Sequence, residues 1–263
     1  MKHPLIIAFF TFIGCGQSNT ISDSQKMQSV ELTIRSKELL QKKSLDSAAI
    51  LLKTAIELDP NNYTAYNNRA YLKFKDGHSP GDVLADYKKS LEIKPDYDIA
   101  LFSIANFYFH NKDYANAIEY ANQLLNLNKR TEVTSSEIQH IYSIRGESYK
   151  YSQDYGKAIS DLRKALQMNP KDAGANKELG DCLYYDSKNM DLAIQLYTKA
   201  INLDSMYYQA FLGRAQCYEN KSPADVEAAR MDYQRAVEIN PDLEDIYDTK
   251  SALLIAAKQK LRN

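Results

Sequence analysis

The sequence predicts an all-α fold, an α-solenoid of about six helix–turn–helix units with a C-terminal capping helix. Residues 142–170 contain a helix, a short turn at 152–154 and a second helix that closes with Asn169-Pro170. The closure recurs along the chain as Asp59-Pro60, Lys94-Pro95 and Asn240-Pro241, and more weakly as Asn128-Lys129 and Asp204-Ser205. Successive closures at 60, 95, 129, 170, 205 and 241 are 35, 34, 41, 35 and 36 residues apart. A repeat of this length is typical of stacked supersecondary units.

Each predicted helix carries a small residue at a fixed place. When the units are aligned on their closures, the first helices share Ser36, Ala70, Ala105, Gly146, Gly180 and Ala215. The second helices share Ala48, Val83, Ala117, Ala158, Ala193 and Ala229. Small residues let two helix backbones approach closely while bulky neighbours fill the grooves beside them. The pattern therefore predicts that the two helices of a unit pack against each other at these places.

The pattern resembles the tetratricopeptide repeat, in which an aromatic residue, Leu-Gly, Tyr, Ala, Phe and Pro recur over about 34 residues. The chain has no Trp, and other residues take its place: Tyr66, Leu101, Tyr142 and Phe211. Arginines replace the usual Leu before the small residue at Arg35, Arg69, Arg145 and Arg214. The resemblance covers residues 29–241. It implies that the first helices line a concave groove that binds a protein partner, as an extended peptide or a helix.

The closures also predict the domain boundaries. We expect a lipoprotein signal peptide at residues 1–14, then a lipidated Cys and flexible tether at 15–28. The six repeats occupy 29–60, 61–95, 96–129, 130–170, 171–205 and 206–241. Residues 242–263 are expected to form the capping helix, since terminal repeats need one for solubility. Residues 130–138 are an insertion, which we expect to lengthen the first helix of the fourth unit or to form a short loop.

The N-terminus indicates export and lipidation. Residues 1–14 carry one Lys and an apolar run from Leu5 to Ile13, which is too short to span a membrane and is typical of a secretory signal. Phe12-Ile13-Gly14-Cys15 resembles a bacterial lipobox and makes Cys15 the predicted lipidation site; the alternative is a signal peptide that happens to contain a Cys. We expect a lipid-anchored protein of the bacterial cell envelope, at the outer membrane and facing the periplasm.

Composition and motifs argue against nucleic acid, metal and catalysis. The 263 residues carry a net charge of −1, so there is no basic field for nucleic acid. The four histidines, His3, His78, His110 and His140, have no metal-site spacing, and no Cys-x-x-Cys or Gly-rich phosphate loop is present. We therefore expect no cofactor and no enzyme activity. Cys182 and Cys217 share one position on neighbouring first helices, too far apart to be bridged, and are expected to be free thiols.

The resemblance implies which residues of this chain line the partner-binding groove, because groove positions recur at fixed places in each repeat. The predicted groove residues are Asn67, Asn68, Tyr71, Phe74, Phe102, Asn106, Phe109, His110, Lys150, Tyr151, Lys177, Asp181, Tyr184 and Tyr185, with His140, Glu147, Gln216 and Glu219 on the same face. Rings bury area at little entropic cost, and amides can bond a partner's backbone. The alternative is that the rings only pack between units. The family's carboxylate clamp, a Lys and Asn set over three repeats, is not reproduced.

Two kinds of function remain open from the sequence. The first is an envelope adaptor that holds a protein or peptide in its groove, similar in architecture to small repeat lipoproteins that act as secretin pilotins, outer-membrane assembly factors or adaptors for peptidoglycan enzymes. The alternative is a glycan- or small-ligand-binding lipoprotein of nutrient uptake, or a self-associating structural protein. The partner and the oligomeric state are left open.

Overall fold

The computed structural model describes residues 21–130, 132–186, 189–221 and 223–241, with residues 243 and 252. Within these ranges the chain forms twelve helices in six consecutive pairs and no strand. The pairs are α1 (Asp23–Gln41) with α2 (Leu45–Leu58), α3 (Tyr63–Lys75) with α4 (Pro80–Ile93), α5 (Asp98–His110) with α6 (Tyr114–Asn126), α7 (Ser135–Tyr151) with α8 (Tyr155–Met168), α9 (Ala173–Asp186) with α10 (Met190–Leu203), and α11 (Tyr208–Asn220) with α12 (Val226–Ile239). The predicted all-α solenoid is confirmed.

The helices form two layers. Each first helix packs against its own second helix and against the first helices of the neighbouring units, from α1 to α11. Each second helix contacts its own partner and the next first helix. In the described part of the chain, no second helix contacts another. The first helices therefore make up the inner, concave layer, and the second helices make up the outer one.

Local sequence sets the ends of the helices. Side chains such as Asn62, Asp113 and Asp154 accept hydrogen bonds from backbone N–H groups of the turns that follow them. Four first helices end in a turn with one residue in the left-handed region, at Lys43, Gly77, Lys112 and Gln153. Four second helices, α2, α4, α8 and α12, end one residue before an X-Pro pair, because proline disfavours helix in the residue before it.

The small residues lie where the sequence predicts close packing. Ala70, Ala105 and Ala215 are fully buried, as are the alanines at the matching place in the second helices. Two units need glycine itself. A Cβ on Gly146 would lie 2.9 Å from Cγ of Leu162, and one on Gly180 would lie 2.9 Å from Cε1 of Tyr197. Both glycines make room for a large buried side chain on the second helix.

Three partly buried ion pairs join the two helices of alternate units. Arg69 pairs with Asp86 in unit two, and the same bidentate pairing recurs as Arg145–Asp161 in unit four and Arg214–Asp232 in unit six. Two of these arginines also donate to the preceding unit's second helix. Arg145 Nη1 lies 2.5 Å from Asn122 Oδ1, and Arg214 Nη1 lies 2.9 Å from Thr198 Oγ1. These arginines thus connect units three to four and five to six.

The structure tests the predictions for two segments, the tether at residues 15–28 and the insertion at residues 130–138. The flexible tether predicted for residues 15–28 is wrong from Asp23 onward, because α1 begins there. Ser22 and Gln25 form a reciprocal capping box. Ser29 and Thr33 are buried and accept hydrogen bonds from Asn62 at the start of unit two. The insertion at 130–138 does both things expected of it, since a loop leads into an α7 of 17 residues, longer than the 13 of α3 and α5.

The other predicted segments lie almost entirely outside the residues that the structure describes. The signal peptide, Cys15 and the capping helix at 242–263 lie outside the described residues, except that Leu243 packs against the core of the sixth unit. Among the helices that the structure describes, none is both long and apolar enough to cross a membrane.

Candidate partner-binding groove

Four of the predicted groove residues line one cleft on the concave side. The cleft has a volume of about 410 Å³ and lies between α1, α3, α5 and α7. Asn67, Asn68 and Tyr71 come from α3 and Phe102 from α5. Its other walls include Leu40 and Gln41 of α1 and Glu137 of α7. The first helices thus bring residues from four units to one surface, as the repeat alignment predicts.

The amides of this region have unused hydrogen-bonding capacity. Asn67 is buried, and its Oδ1 has no hydrogen-bond partner. The same holds for the buried Oδ1 of Asn106, one unit further along. Buried polar atoms are normally paired, so an unpaired one needs a reason. Because both oxygens are themselves buried, a partner could bond them only if the side chains turned toward the groove.

The predicted rings divide into exposed and packed ones. Tyr71 is 42% exposed, with the Lys75 ammonium 5.4 Å from its ring centre. Phe74 and Phe109 are only half-exposed, because they pack against the core of units two and three. Phe102 likewise packs on the core beside α7, 6.1 Å from the His140 ring. Most of these rings therefore pack on the core and leave only part of their surface exposed in the groove.

Where the first helices end, tyrosines stack across neighbouring units. Tyr151 is 53% exposed and stacks on Tyr114, with ring centres 4.5 Å apart and planes 11° apart. Tyr185 is 52% exposed and stacks on Tyr155 at 5.9 Å. Tyr184 packs edge-on against Tyr185, and its hydroxyl accepts a hydrogen bond from Asn220. The ring of His110, itself exposed, stacks on Phe74 at 6.4 Å.

Further along the groove, between α7 and α9, the polar side chains are charged and paired. Lys150 lies in contact with Glu178 and 3.1 Å from Asp181 Oδ2. Lys177 lies 3.1 Å from Glu178 and 3.0 Å from Asp181. These four side chains, which we call the charged network, are each only about a tenth exposed. Three of them are predicted groove residues that the fold brings together.

Burial and pairing shift the pKa values of these groups. Burial works to raise the pKa of Asp181, but Lys177, Lys150 and the Tyr197 hydroxyl outweigh it and hold that pKa below its usual range. The Tyr197 hydroxyl donates to Asp181 Oδ1 over 2.8 Å. Burial also works to lower the pKa of Lys150, yet Glu178 and Asp181 raise it overall. Asp181 and Lys150 are thus held in their ionised forms.

Cys182 and Cys217 lie behind the network. Both are buried and free. Burial raises the pKa of each thiol to about 12, which leaves it protonated and inert at neutral pH. Over the ranges described above, no three His, Cys, Asp or Glu side chains are grouped in a way that could hold a metal ion.

Comparison with known families supports the repeat assignment. Family models described as tetratricopeptide repeat match residues 51–81, 99–131 and 145–205. The chain is a tetratricopeptide repeat protein. The matched stretches lie in units one to five, within the region where the sequence predicts the repeats.

Curated relatives of this tetratricopeptide repeat protein are distant. The DnaJ protein P58IPK homolog B of Oryza sativa subsp. japonica is 25% identical over 231 residues, which cover 79% of this chain and 47% of the relative. The protein SGT1 homolog of Bos taurus is 29% identical over 104 residues, 39% of this chain and 29% of the relative. The chain spans about half the length, or less, of the curated relatives it matches.

Solved structures match the repeat protein over more of its length. PilF of Pseudomonas aeruginosa gives a TM-score of 0.69 at 16% identity, covering 91% of this chain and 98% of PilF. PilW, a type IV pilus biogenesis factor, gives 0.67 at 16%, with 89% and 98% covered. YrrB, a tetratricopeptide repeat protein with an unusual peptide-binding site, gives 0.62 at 22%, with 79% and 97% covered. At these identities the likeness shows the shared fold.

One member of the charged network escaped the sequence prediction. Glu178 was not among the predicted groove residues, although Asn68 occupies the same repeat position in unit two and was. Aligning every groove position across all six units would have found it. The repeat alignment gives no comparable indication for Tyr197. This residue lies on a second helix, α10, whereas the predicted groove positions all lie on first helices.

Proposed function

We propose that this chain is a lipid-anchored scaffold of the bacterial cell envelope that holds an extended segment of another protein in its concave groove. One observation carries the proposal: the cleft between α1, α3, α5 and α7 combines an exposed ring, Tyr71, with the side-chain amides of Asn67 and Asn68. A ring can cover apolar side chains of a bound segment while amides bond its backbone. The proposed function is non-catalytic.

The comparisons support the peptide and envelope parts of this proposal by analogy. YrrB is described as having a peptide-binding site, and PilW as a pilus biogenesis factor. The lipobox-like residues before Cys15 support the lipid anchor, since two acyl chains give stable membrane attachment. The stacked, exposed Tyr151 and Tyr185 favour a second candidate function, a groove that stacks sugar rings.

Photo-crosslinking in the native cell tests the scaffold function. A photoreactive residue would replace Tyr71 or Phe109 in the full-length protein, and Lys53, exposed on the outer helix α2, would serve as the control position. We expect a discrete protein adduct from the groove positions and none from Lys53. Equal adducts from all three positions, or no protein adduct from the groove, would contradict the proposal. In the second case a glycan array becomes the next measurement, because sugar binding would explain the result.

The lipid anchor has its own test. Replacing Cys15 with Ser removes the only acceptor for diacylation at the lipobox. We expect the C15S protein to move from the membrane fraction to the soluble fraction and to lose incorporation of labelled palmitate. Unchanged fractionation and labelling would show that the anchor proposal is wrong while leaving the groove proposal in place.

A further inference from the structure

Glu147 stands apart from the other charged side chains of the groove. It lies on α7, one turn before Lys150, and forms no hydrogen bond or ion pair with any residue the structure describes. The charged network next to it is complete without it. Lys150 and Lys177 each contact both Glu178 and Asp181, so two ammonium groups are matched by two carboxylates. Glu147 is therefore a carboxyl group in excess.

The surroundings of Glu147 are unfavourable for a negative charge. Burial raises the pKa of Glu147 to about 8, with Glu178 as the second cause and Asp172 as a smaller one. Lys150 and Lys177 act in the opposite direction without offsetting these effects. Asp172 belongs to the turn before α9 and already accepts a hydrogen bond from Gln139 over 2.8 Å. The carboxyl group thus lies near two acids, and the two lysines near it are already paired with Glu178 and Asp181.

The repeat position of Glu147 places it on the groove surface. It directly follows the small residue Gly146, and the equivalent residues in units two and three are Tyr71 and Asn106. Tyr71 lines the cleft, and Asn106 has an unpaired oxygen. In unit five the same position is Asp181, which is satisfied by Lys150, Lys177 and Tyr197. Of the two acids at this position, only Glu147 has no partner among the described residues.

We propose that Glu147 anchors the basic side chain, Lys or Arg, of the segment held in the groove. The inference rests on the proposed function and deepens it by naming the chemistry of the partner. When Glu147 ionises, it adds a negative charge beside Glu178 and Asp172, and a cation seated next to it would match that charge. A neutral donor would leave the charge unmatched. In a site shielded from water, charge matching is stronger than on an exposed surface.

The anchor makes binding depend on pH with a definite sign. The titratable groups that face Glu147 are Lys150 on its own helix, Lys177 and Glu178 on α9, Asp172 before α9, and Tyr207 before α11. In the free protein the Glu147 carboxyl is largely protonated below about pH 8. A bound ammonium or guanidinium favours the carboxylate and lowers its pKa. Affinity for a basic segment therefore rises with pH up to about pH 8 and then levels off.

The experiment is a selection of random dodecapeptides displayed on phage, carried out near pH 8 on the full-length protein and on the variant E147Q. E119Q serves as the matched control, because Glu119 is an exposed acid on the outer helix α6. We expect the wild type and E119Q to select peptides with Lys or Arg at one fixed position. E147Q is expected to lose that preference. A synthetic peptide from the selection should bind E147Q at least about tenfold more weakly than the wild type, consistent with the coupling of close interfacial charge pairs.

The pH dependence provides the second readout. Between about pH 6.5 and pH 8, affinity of the selected peptide should rise about tenfold for the wild type and stay flat for E147Q. A peptide with norleucine in place of the basic residue should bind both proteins alike. Selected peptides without a basic preference, or a preference that E147Q keeps, would overturn this inference and leave the groove function standing. Failure to select any peptide would overturn both.

Discussion

The groove has two regions built on the same repeat positions but with opposite chemistry. In units two and three, Tyr71 and Asn106 are neutral, and the amide oxygens of Asn67 and Asn106 are unpaired. In units four and five, Glu147 and Asp181 take the equivalent positions, and the side chains around them form the charged network. The first region leaves two amide oxygens unpaired, whereas the second pairs most of its charges internally. The same fold thus carries a region with unpaired polar groups beside a region whose polar groups are mostly paired with one another.

The difference shows that facing the groove is not the same as being available to a partner. Lys150, Lys177 and Asp181 are on the predicted face, yet each has two buried partners or more. We therefore expect the loss of one of these side chains to lower stability, and the loss of Asn67 to leave stability nearly unchanged. The four predictions that follow test this contrast.

The largest effect is expected from Asp181→Asn. The substitution removes one of two carboxylates that neutralise Lys150 and Lys177, and breaking a buried ion pair in this way costs about 3–5 kcal/mol. Urea denaturation followed by circular dichroism measures it. The control is Lys53→Met, which removes an exposed pair with Glu57 at 3.9 Å and should cost less than about 1 kcal/mol. Equal losses from the two variants would remove the distinction between the regions.

The second prediction concerns the packing of a buried tyrosine on the second helix of units two and five. Tyr87 and Tyr197 occupy the same place in units two and five. The Tyr87 hydroxyl meets Ser103 on the next first helix, whereas the Tyr197 ring fills the space above Gly213, where a Cβ would lie 2.5 Å from Cζ. Gly213→Ala should therefore cost about 1–3 kcal/mol by overpacking. Gly156→Ala has open space around it and should stabilise α8 by up to about 1 kcal/mol. A destabilised G156A or a neutral G213A would contradict this packing.

The third prediction is a change in the pH dependence of stability. Because the pKa of Glu147 is raised to about 8, the folded protein holds this proton more tightly than the unfolded chain does. Wild-type stability should therefore fall as pH rises from about 4.5 to about 8, and Glu147→Gln should remove that slope. Since one pKa unit corresponds to about 1.4 kcal/mol, we expect E147Q to be more stable than wild type by about 1–2 kcal/mol at about pH 9. E119Q should keep the wild-type slope, and an E147Q protein that also keeps it would exclude the buried acid as its source.

The smallest effect is expected from Asn67→Ala. Removing a buried acceptor that has no partner is nearly neutral, within about 1 kcal/mol. Asn62 offers a matched control, because its amide donates to Ser29 Oγ and Thr33 Oγ1 and its Oδ1 accepts from Ala65 N. Asn62→Ala should cost about 1–2 kcal/mol. Thermal melts of the two variants measure the difference. Similar losses of stability in both would mean that the Asn67 side chain has hydrogen-bond partners in the folded protein.

Much of the architecture followed from the sequence, and most of the charged chemistry did not. The closures and small residues set the number and place of the helix pairs, because both reflect local geometry and close packing. Even the early start of α1 had a signal, the Ser22 and Gln25 capping box. The contact between Lys150 and Glu178 spans 28 residues and depends on how units four and five are oriented. Spacing within one repeat carries no information on that orientation.

The alternating ion pairs have a consequence for engineering this molecule. Arg145 ties unit three to unit four, and Arg214 ties unit five to unit six. The natural module of the solenoid is therefore two repeats long. Excising or duplicating such a module should keep each of these arginines beside the second helix that it bonds, whereas adding or removing a single repeat would place a different second helix there in place of Asn122 or Thr198.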